Sequence, residues 1–397
     1  MILNSRQFLG SSRFIPQPPS NLTSALLTFL QHGPPGVGKS VLSSFIINHL
    51  REHEYACQYY YFRHVDTRKK RFNRLLRSLA YQLAIYSKDY RHRLLKLARK
   101  GVITSNTGSR VLWQKLFISI LPKVKFSRPI YWVIDSLDSA KSPTDILSAS
   151  KGLVDLKLPL RIIITGRHLE LVEHFKRLGE SMPLTNFSIQ DAQKQAKDQK
   201  QTDLYHYVRR EMSVTSGRWS QELIDSITSE IVAKASGNFL WVAVVVKNIL
   251  RCNTKQEIRD TITGLPGELR SLYASLQAAS ESRITVDEDK KLVQNILIWV
   301  SCSTQLLTVD QLQEAFDPAM EILDLSWSIS NLCGELVVID PKSNLVSLIH
   351  SSALEFLQES SHPYESCFFP FKVSQFFSSV LKQALIFVSL IISISHL

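Results

Sequence analysis

Gly33-Pro34-Pro35-Gly36-Val37-Gly38-Lys39-Ser40 is the stretch that most constrains this chain. It fits the pattern G-x-x-x-x-G-K-[ST] at every fixed position. Three glycines let a loop wrap tightly with its backbone N–H groups aimed at phosphate oxygens. Lys39 brings a cation to the β- and γ-phosphates, and the Ser40 hydroxyl is a Mg²⁺ ligand. A helix starting at Lys39 adds its positive dipole end. The alternative is an incidental glycine-rich turn. The flanks favour the phosphate loop, because the apolar run SALLTFL (24–30) reads as a buried strand before it and a helix-like stretch to about Arg51 follows.

A loop of this kind needs a second acid for the metal. YWVID, ending at Asp135, is a hydrophobic strand closing on a carboxylate, as in the Walker B pattern. Asp135 is expected to hold Mg²⁺, directly or through water; the bland alternative is a strand-end turn residue. Asp138, three residues on, either orients the attacking water or serves a turn. LRIIIT (160–165) is a further buried strand, and Thr165 and Arg167 at its C-terminal end are placed to sense a γ-phosphate. A solvated arginine after a strand is the competing account. CQYYYFR (57–63) is strand-like, and 72–121 alternates apolar and basic residues at helical spacing. Strands separated by helices imply a parallel sheet covered on both faces.

Beyond Ser188 the pattern turns helical, with candidate helices near 200–213, 218–235, 238–251, 266–280, 287–301 and 308–316. ELVVID-PKSN-LVSLIH (335–350) reads as a β-hairpin, followed by the helix SSALEFLQE. The expected organisation is a tail (1–22), a phosphate-loop domain (23–190), a helical domain (191–264), a helix-and-hairpin domain (265–360) and an apolar tail (361–397), expected to lack order. The 397 residues, 44% hydrophobic and 21% charged, exclude wholesale disorder and fibrous folds. Five cysteines without a C-x-x-C pair give no support to a disulfide framework or zinc site, and no secretory leader is visible; a cytoplasmic setting is expected.

The net charge of +12 permits an anionic partner without demanding one. The basic run Arg68 to Arg71 with Arg74 and Arg77, and the segment RHRLLKLARK, read as solvated helix faces before a nucleic-acid patch, for want of interleaved aromatics. A nucleic-acid partner is therefore not expected. Nor is a membrane partner: from Gln383 to Leu397 only 15 residues are free of charge, against about 17–25 for a spanning helix.

In order along the chain, HGPPGVGKSVLSSFIINHL, YYYFRHVDTRKKRFNRLLRSLAYQLA, YWVIDSLDSA, RIIITGR, ASGNFLWVAVVVKNI, LPGELRSLYASL, WVSCSTQLLTVDQLQEAF and LVSLIHSSALEFL resemble NACHT-type STAND P-loop NTPases of fungal NLR-like proteins, with a nephrocystin-like N-terminal module and a winged-helix region. The resemblance covers roughly 25–360. It implies an ATP/ADP switch with Mg²⁺, closed with ADP and open with ATP, that oligomerises or engages protein partners on activation. Carried over, Gly33, Pro34, Pro35, Gly36, Val37, Gly38, Lys39 and Ser40 bind the nucleotide, Ser40 and Asp135 the metal, and Arg167 is the sensor. Asp138 is the catalytic candidate. His350 matches the winged-helix histidine that touches the ADP β-phosphate; a core or helix-cap histidine is the alternative.

The family pattern has Glu where this chain has Ser139. The expected hydrolysis is therefore slow or absent, while differential binding of ADP and ATP still shifts populations. The effector domain and repeat array usual in the family are not in this sequence, so it resembles an isolated switch module, a truncated product or an imperfect gene model. A non-catalytic scaffold that binds nucleotide at most is the second hypothesis, and a DNA-associated P-loop ATPase the third.

Overall fold

Two central strands read as unbroken apolar runs because both of their faces are covered. In the computed structural model these are β3 (Ile130–Asp135) and β4 (Leu160–Gly166), every residue of which is buried. The structure describes residues 27–62, 71–154, 156, 158–167, 184–188, 203–213, 219–303, 305–316 and 321–358. The chain divides into two compact units, Met1–Gly267 and Glu268–Leu397.

In the first unit, β3 and β4 join β1 (Leu27–His32), β2 (Ala56–Tyr61) and β5 (Leu184–Ser188) in one five-stranded sheet of order β2-β3-β4-β1-β5. Every pairing is parallel. The strand carrying Asp135 is thus not beside β1; β4 lies between them. Side chains alternate across the pleat. Tyr131, Val133 and Ile163 face a core with Leu42, Ile46, Ile47 and Leu50 of α1 (Lys39–Glu52). Trp132, Ile134, Ile162 and Ile164 face the larger core, built on Leu75, Leu76, Leu79 and Leu83 of α2 (Phe72–Tyr86). Those four leucines recur at helical spacing and form one stripe.

The stretch expected to be helical over 72–121 is interrupted. Ser87 is extended, and its hydroxyl accepts the Tyr90 N–H to start α3 (Lys88–Arg99). A second break precedes α4 (Ser109–Trp113). Of α3 only Tyr90 is buried, which leaves its basic residues solvated. Arg68 to Lys70 lie outside the described residues. The Gln82 side chain closes the outer edge of β2, accepting from the Tyr59 N–H and donating to the Tyr59 carbonyl. One amide thus occupies backbone groups through which an edge strand would pair with another chain.

After α5 (Pro143–Val154) and the remaining strands come α6 (Asp203–Ser213), α7 (Gln221–Ala235), α8 (Phe239–Ile249) and α9 (Lys255–Gly264). Two elements here were not expected. β5 is only five residues, too short to announce itself among Leu184-Thr-Asn-Phe-Ser. α9 is polar, but it carries a capping box in which Thr254 accepts from the Glu257 N–H and Glu257 reaches back to Thr254. T-x-x-E is a legible start signal.

In the second unit, α10 (Leu269–Glu281) and α11 (Asp287–Cys302) lead to β6 (Leu307–Thr308), α12 (Val309–Glu314) and α13 (Leu325–Ser328). The hairpin β7 (Val337–Ile339) and β8 (Leu345–Leu348) completes an antiparallel sheet of order β6-β8-β7, and α14 (Ser351–Gln358) closes the unit. Asp340 builds the hairpin turn, accepting from the Lys342 and Ser343 amides. This is the helix-and-wing arrangement that the sequence implies. Among the described residues no helix is long and apolar enough to cross a membrane. Both expected tails, 1–22 and 361–397, lie outside the described residues.

Leu83, fully buried at the C-terminal end of the α2 stripe, and Ile85, 62% exposed on the same helix, give a direct contrast. Leu83→Ala should cost about 2–5 kcal/mol of unfolding free energy, and Ile85→Ala under about 0.5 kcal/mol. Urea denaturation of both variants measures the difference.

Candidate nucleotide site

β1 ends at His32, and the loop from Gly33 turns directly into α1 at Lys39. Gly36 (φ 84°) and Gly38 (φ 93°) hold left-handed conformations that suit glycine. Gly36 is also short of space: a Cβ there would lie 2.2 Å from Asn238 Oδ1. Asn238 sits at the start of α8, donates from Nδ2 to the Pro35 carbonyl at 3.2 Å, and accepts the Trp241 N–H. The Leu240 N–H donates to the Gly36 carbonyl at 3.3 Å. The first turn of α8 is therefore seated on the loop. Val37 is buried against α1, and anchors the loop to the smaller core.

The Lys39 ammonium donates to the carbonyls of Gly33 at 2.6 Å and Pro34 at 2.8 Å. Burial pulls its pKa down from 10.5 to about 8; Asp138 and Asp135 oppose that shift, and Arg167 reinforces it.

Asp135, at the tip of β3, is 2% exposed and accepts from four hydroxyls. Ser40 donates to Oδ2 at 2.6 Å and Ser136 to the same oxygen at 3.1 Å. Ser43 donates to Oδ1 at 2.9 Å and Thr165 at 2.6 Å. Thr165 arrives there because β4 lies between β1 and β3, and its hydroxyl also accepts the Ser136 N–H at 2.9 Å. Its proton goes to Asp135 in this structure, so Thr165 positions that carboxylate.

Ser136 takes a left-handed conformation (φ 56°) that turns the chain into a short 3₁₀ segment, Leu137–Ser139. Asp138 on that segment pairs with Arg167 Nε at 3.2 Å, both side chains nearly buried. The second Asp138 oxygen, Oδ1, is buried with no hydrogen-bond partner among the described residues. Ser139, in the position where the resembled family has a glutamate, is also buried.

Residues 20–167 match the family model described as nephrocystin 3, N-terminal, and residues 281–368 match that of the GPI inositol-deacylase winged helix domain. Together with the loop, the strand-tip acid and the parallel sheet, these matches decide the class. The first unit has the P-loop NTPase fold. Among solved structures the chain is similar to the ORC1 protein of Aeropyrum pernix in complex with DNA, at 13% identity and TM-score 0.36, covering 87% of each chain. The ORC2 protein of Aeropyrum pernix with ADPNP and ADP gives 10% identity and TM-score 0.39 over 97% of this chain and 93% of that one. Cdc6p of Pyrobaculum aerophilum gives 12% identity and TM-score 0.37 over 87% and 98%. No curated protein matches the chain.

The structure brings Gly33 to Ser40, Asp135, Asp138 and Arg167 of the first unit to one end of the sheet. His350 belongs to the second unit, immediately before α14, where Nδ1 lies 2.8 Å from Ser352 Oγ. Three contributors escaped the sequence reading as site residues. Ser43 follows Ser40 by three, which on a helix is the same face. Ser136 follows the Walker B acid directly. Asn238 stands in the quoted GNFLWVA stretch, but its reach to Pro35 spans 203 positions of sequence.

Oxygen donors alone, a buried carboxylate and a hydroxyl, are the chemistry that suits Mg²⁺. Gly36→Ala forces a left-handed alanine onto Asn238, with an expected loss of about 1–3 kcal/mol in unfolding free energy. Gly108→Ala, with open space around the added methyl and no positive φ, should cost under about 1 kcal/mol. Adding Asn238→Ala to Gly36→Ala should recover the steric part and leave the backbone part, a double-mutant cycle read by thermal melts.

Proposed function

We propose that the NTPase is a nucleotide-dependent switch of the NACHT class, binding ATP or ADP with Mg²⁺ and hydrolysing ATP weakly. It acts in the cytoplasm in a fungal NLR-like immune or self/non-self recognition pathway, engaging protein partners or further copies of itself when activated. One observation carries the nucleotide reading: the Ser40 hydroxyl lies 2.6 Å from the Asp135 carboxylate, directly after the loop ammonium Lys39. Gly33 to Gly38 supply inward amides, and Lys39 neutralises the terminal phosphates. Ser40 and Asp135 would hold Mg²⁺, which would withdraw charge from the phosphate oxygens. The three domains and two tails expected from the sequence remain the proposed organisation, with the nucleotide held by the first domain.

In hydrolysis, water attacks the γ-phosphorus, the bond to the β–γ bridging oxygen breaks, and the water proton passes to a carboxylate. Asp138 is the acid proposed for that step. Its side chain is held by Arg167, and the serine at 139 supplies no second carboxylate, which supports slow turnover. The same pair gives Arg167 a carboxylate to leave when a γ-phosphate offers stronger charge. His350 is proposed to donate to the ADP β-phosphate, favouring the closed form.

Heat-denatured protein should release ADP in near-stoichiometric amount, and Lys39→Ala should release none; nucleotide retained by that variant sinks the proposal. Asp138→Asn should abolish the phosphate production of the wild type. Wild-type turnover equal to background would favour a non-catalytic scaffold.

Lys39 also predicts a pH dependence. Between its folded pKa of about 8 and its ordinary 10.5, the unfolded chain binds more protons than the folded one. Stability of the nucleotide-free protein should therefore rise with pH across that window. ADP binding needs the ammonium, so affinity should fall above about pH 8, by at most about tenfold per unit. Isothermal titration from pH 7 to 9.5 reads the slope, and Lys39→Arg should flatten it.

A further inference from the structure

We infer that Arg161, Tyr131 and Arg128 form a second anion site, suited to a small phosphate-type oxyanion, at the end of the sheet opposite the phosphate loop. Tyr131 and Arg161 are the second residues of β3 and β4 and stand directly paired, so their side chains share one face. Asp135 closes β3 four residues on, about 13 Å away at about 3.3 Å per residue. The two ends of the sheet are therefore separate places, and the inference does not depend on the nucleotide reading.

The case is an account of donors and acceptors. Arg161 Nη1 donates to the Tyr131 hydroxyl oxygen at 2.6 Å, and its guanidinium makes no other hydrogen bond among the described residues. A guanidinium carries five N–H donors, no acceptor and a permanent charge. The Tyr131 oxygen accepts from Arg161. Burial raises the pKa of that hydroxyl, with Arg161 and Arg128 opposing, so the phenol keeps its proton. That proton meets no acceptor among the described residues.

Arg128 adds a second cation. Its guanidinium lies 4.1 Å from the centre of the Tyr55 ring and donates from Nη1 to the His53 carbonyl at 3.1 Å. Tyr55 in turn meets Tyr131 edge to face, centroids 5.3 Å apart. Arg161 lies 5.4 Å from the centre of the Tyr131 ring. Aromatic faces answer part of this positive charge. Among the described residues no ion pair reaches Arg128 or Arg161.

Arg161 is 8% exposed and Tyr131 7%. A cation so little hydrated ordinarily has a carboxylate beside it. Here its company is a phenol, a second arginine and aromatic rings, and the group that completes the set is an acceptor bearing negative charge. Two guanidinium groups and a hydroxyl suit a doubly charged tetrahedral oxyanion better than a single carboxylate. The narrow exposure admits an ion and turns away a polymer such as nucleic acid.

Calorimetric titration of the full chain with inorganic phosphate, at fixed ionic strength, tests the site. The titration is run in Lys39→Ala, so that the phosphate loop does not contribute, and binding should persist there. In that background Arg161→Gln should abolish binding. Tyr131→Phe, which keeps the ring, should weaken it about tenfold or more, the effect of one hydrogen bond to a charged group. Sulfate should compete with phosphate, and acetate should not. Glycerol phosphate should bind more weakly than the free ion. Absence of phosphate binding in Lys39→Ala overturns the site. So does an affinity that Tyr131→Phe leaves unchanged, a result that stands even if Arg161→Gln does not fold. Acetate competing as well as sulfate overturns the tetrahedral ion as the ligand, and glycerol phosphate binding as tightly as phosphate overturns the free ion in favour of a phosphoryl group on a larger molecule.

Discussion

A carboxylate with almost no exposure to water organises this protein. Burying Asp135 costs several kcal/mol in lost hydration. The offset comes from hydroxyls: Ser40, Ser43, Ser136 and Thr165 all donate to it. Hydrogen bonds to a charged group contribute about 1.5–3 kcal/mol each, so four are of the right size to meet the cost. They come from α1, β4 and the turn after β3. Satisfying one anion therefore ties together the loop helix, the intervening strand and the segment bearing Asp138. The parallel order of the sheet is what makes this possible, because only with β4 between β1 and β3 does Thr165 come beside Asp135.

The loop answers to the same constraint from the other side. Its ammonium rests on its own carbonyls, and α8 clamps two of its peptide units through Asn238 and Leu240. A phosphate that recruits Lys39 must draw it from the Gly33 and Pro34 oxygens. The glycine at 36 is then doubly required, by a left-handed backbone and by the absence of room beside Asn238. Much of what looks like phosphate chemistry in the motif is also packing.

The parallel sheet, its main helices and the hairpin were legible in the sequence because each depends on local pattern. Buried strands read as apolar runs, and α2 reads as a stripe of leucines. The loop and Asp135 were legible because their spacing is fixed by chemistry. What escaped depends on contacts remote in sequence or on signals too short to register. β5 has five residues. Asn238 meets Pro35 from two hundred positions away. Thr165 was read as a sensor from its place at a strand end, yet the strand order turns its hydroxyl to Asp135. α9 is the exception, since its capping box was visible and was passed over because the helix has little apolar face.

Ser139 removes the carboxylate that the resembled family places there, and the neighbouring Asp138 is already paired to Arg167. A site without that second carboxylate fits the proposal of binding with weak turnover. Such a molecule still distinguishes two nucleotides if some group prefers one of them. Arg167 is the group proposed for this: it would trade Asp138 for a γ-phosphate, and the carboxylate it leaves has an oxygen already without a partner. On that proposal ATP has to supply enough charge to outweigh both losses, while ADP leaves the pair intact. The serine at 139 and the ion pair at 138 therefore both fit the proposed switch, in which the state follows which nucleotide is held rather than how fast it is consumed.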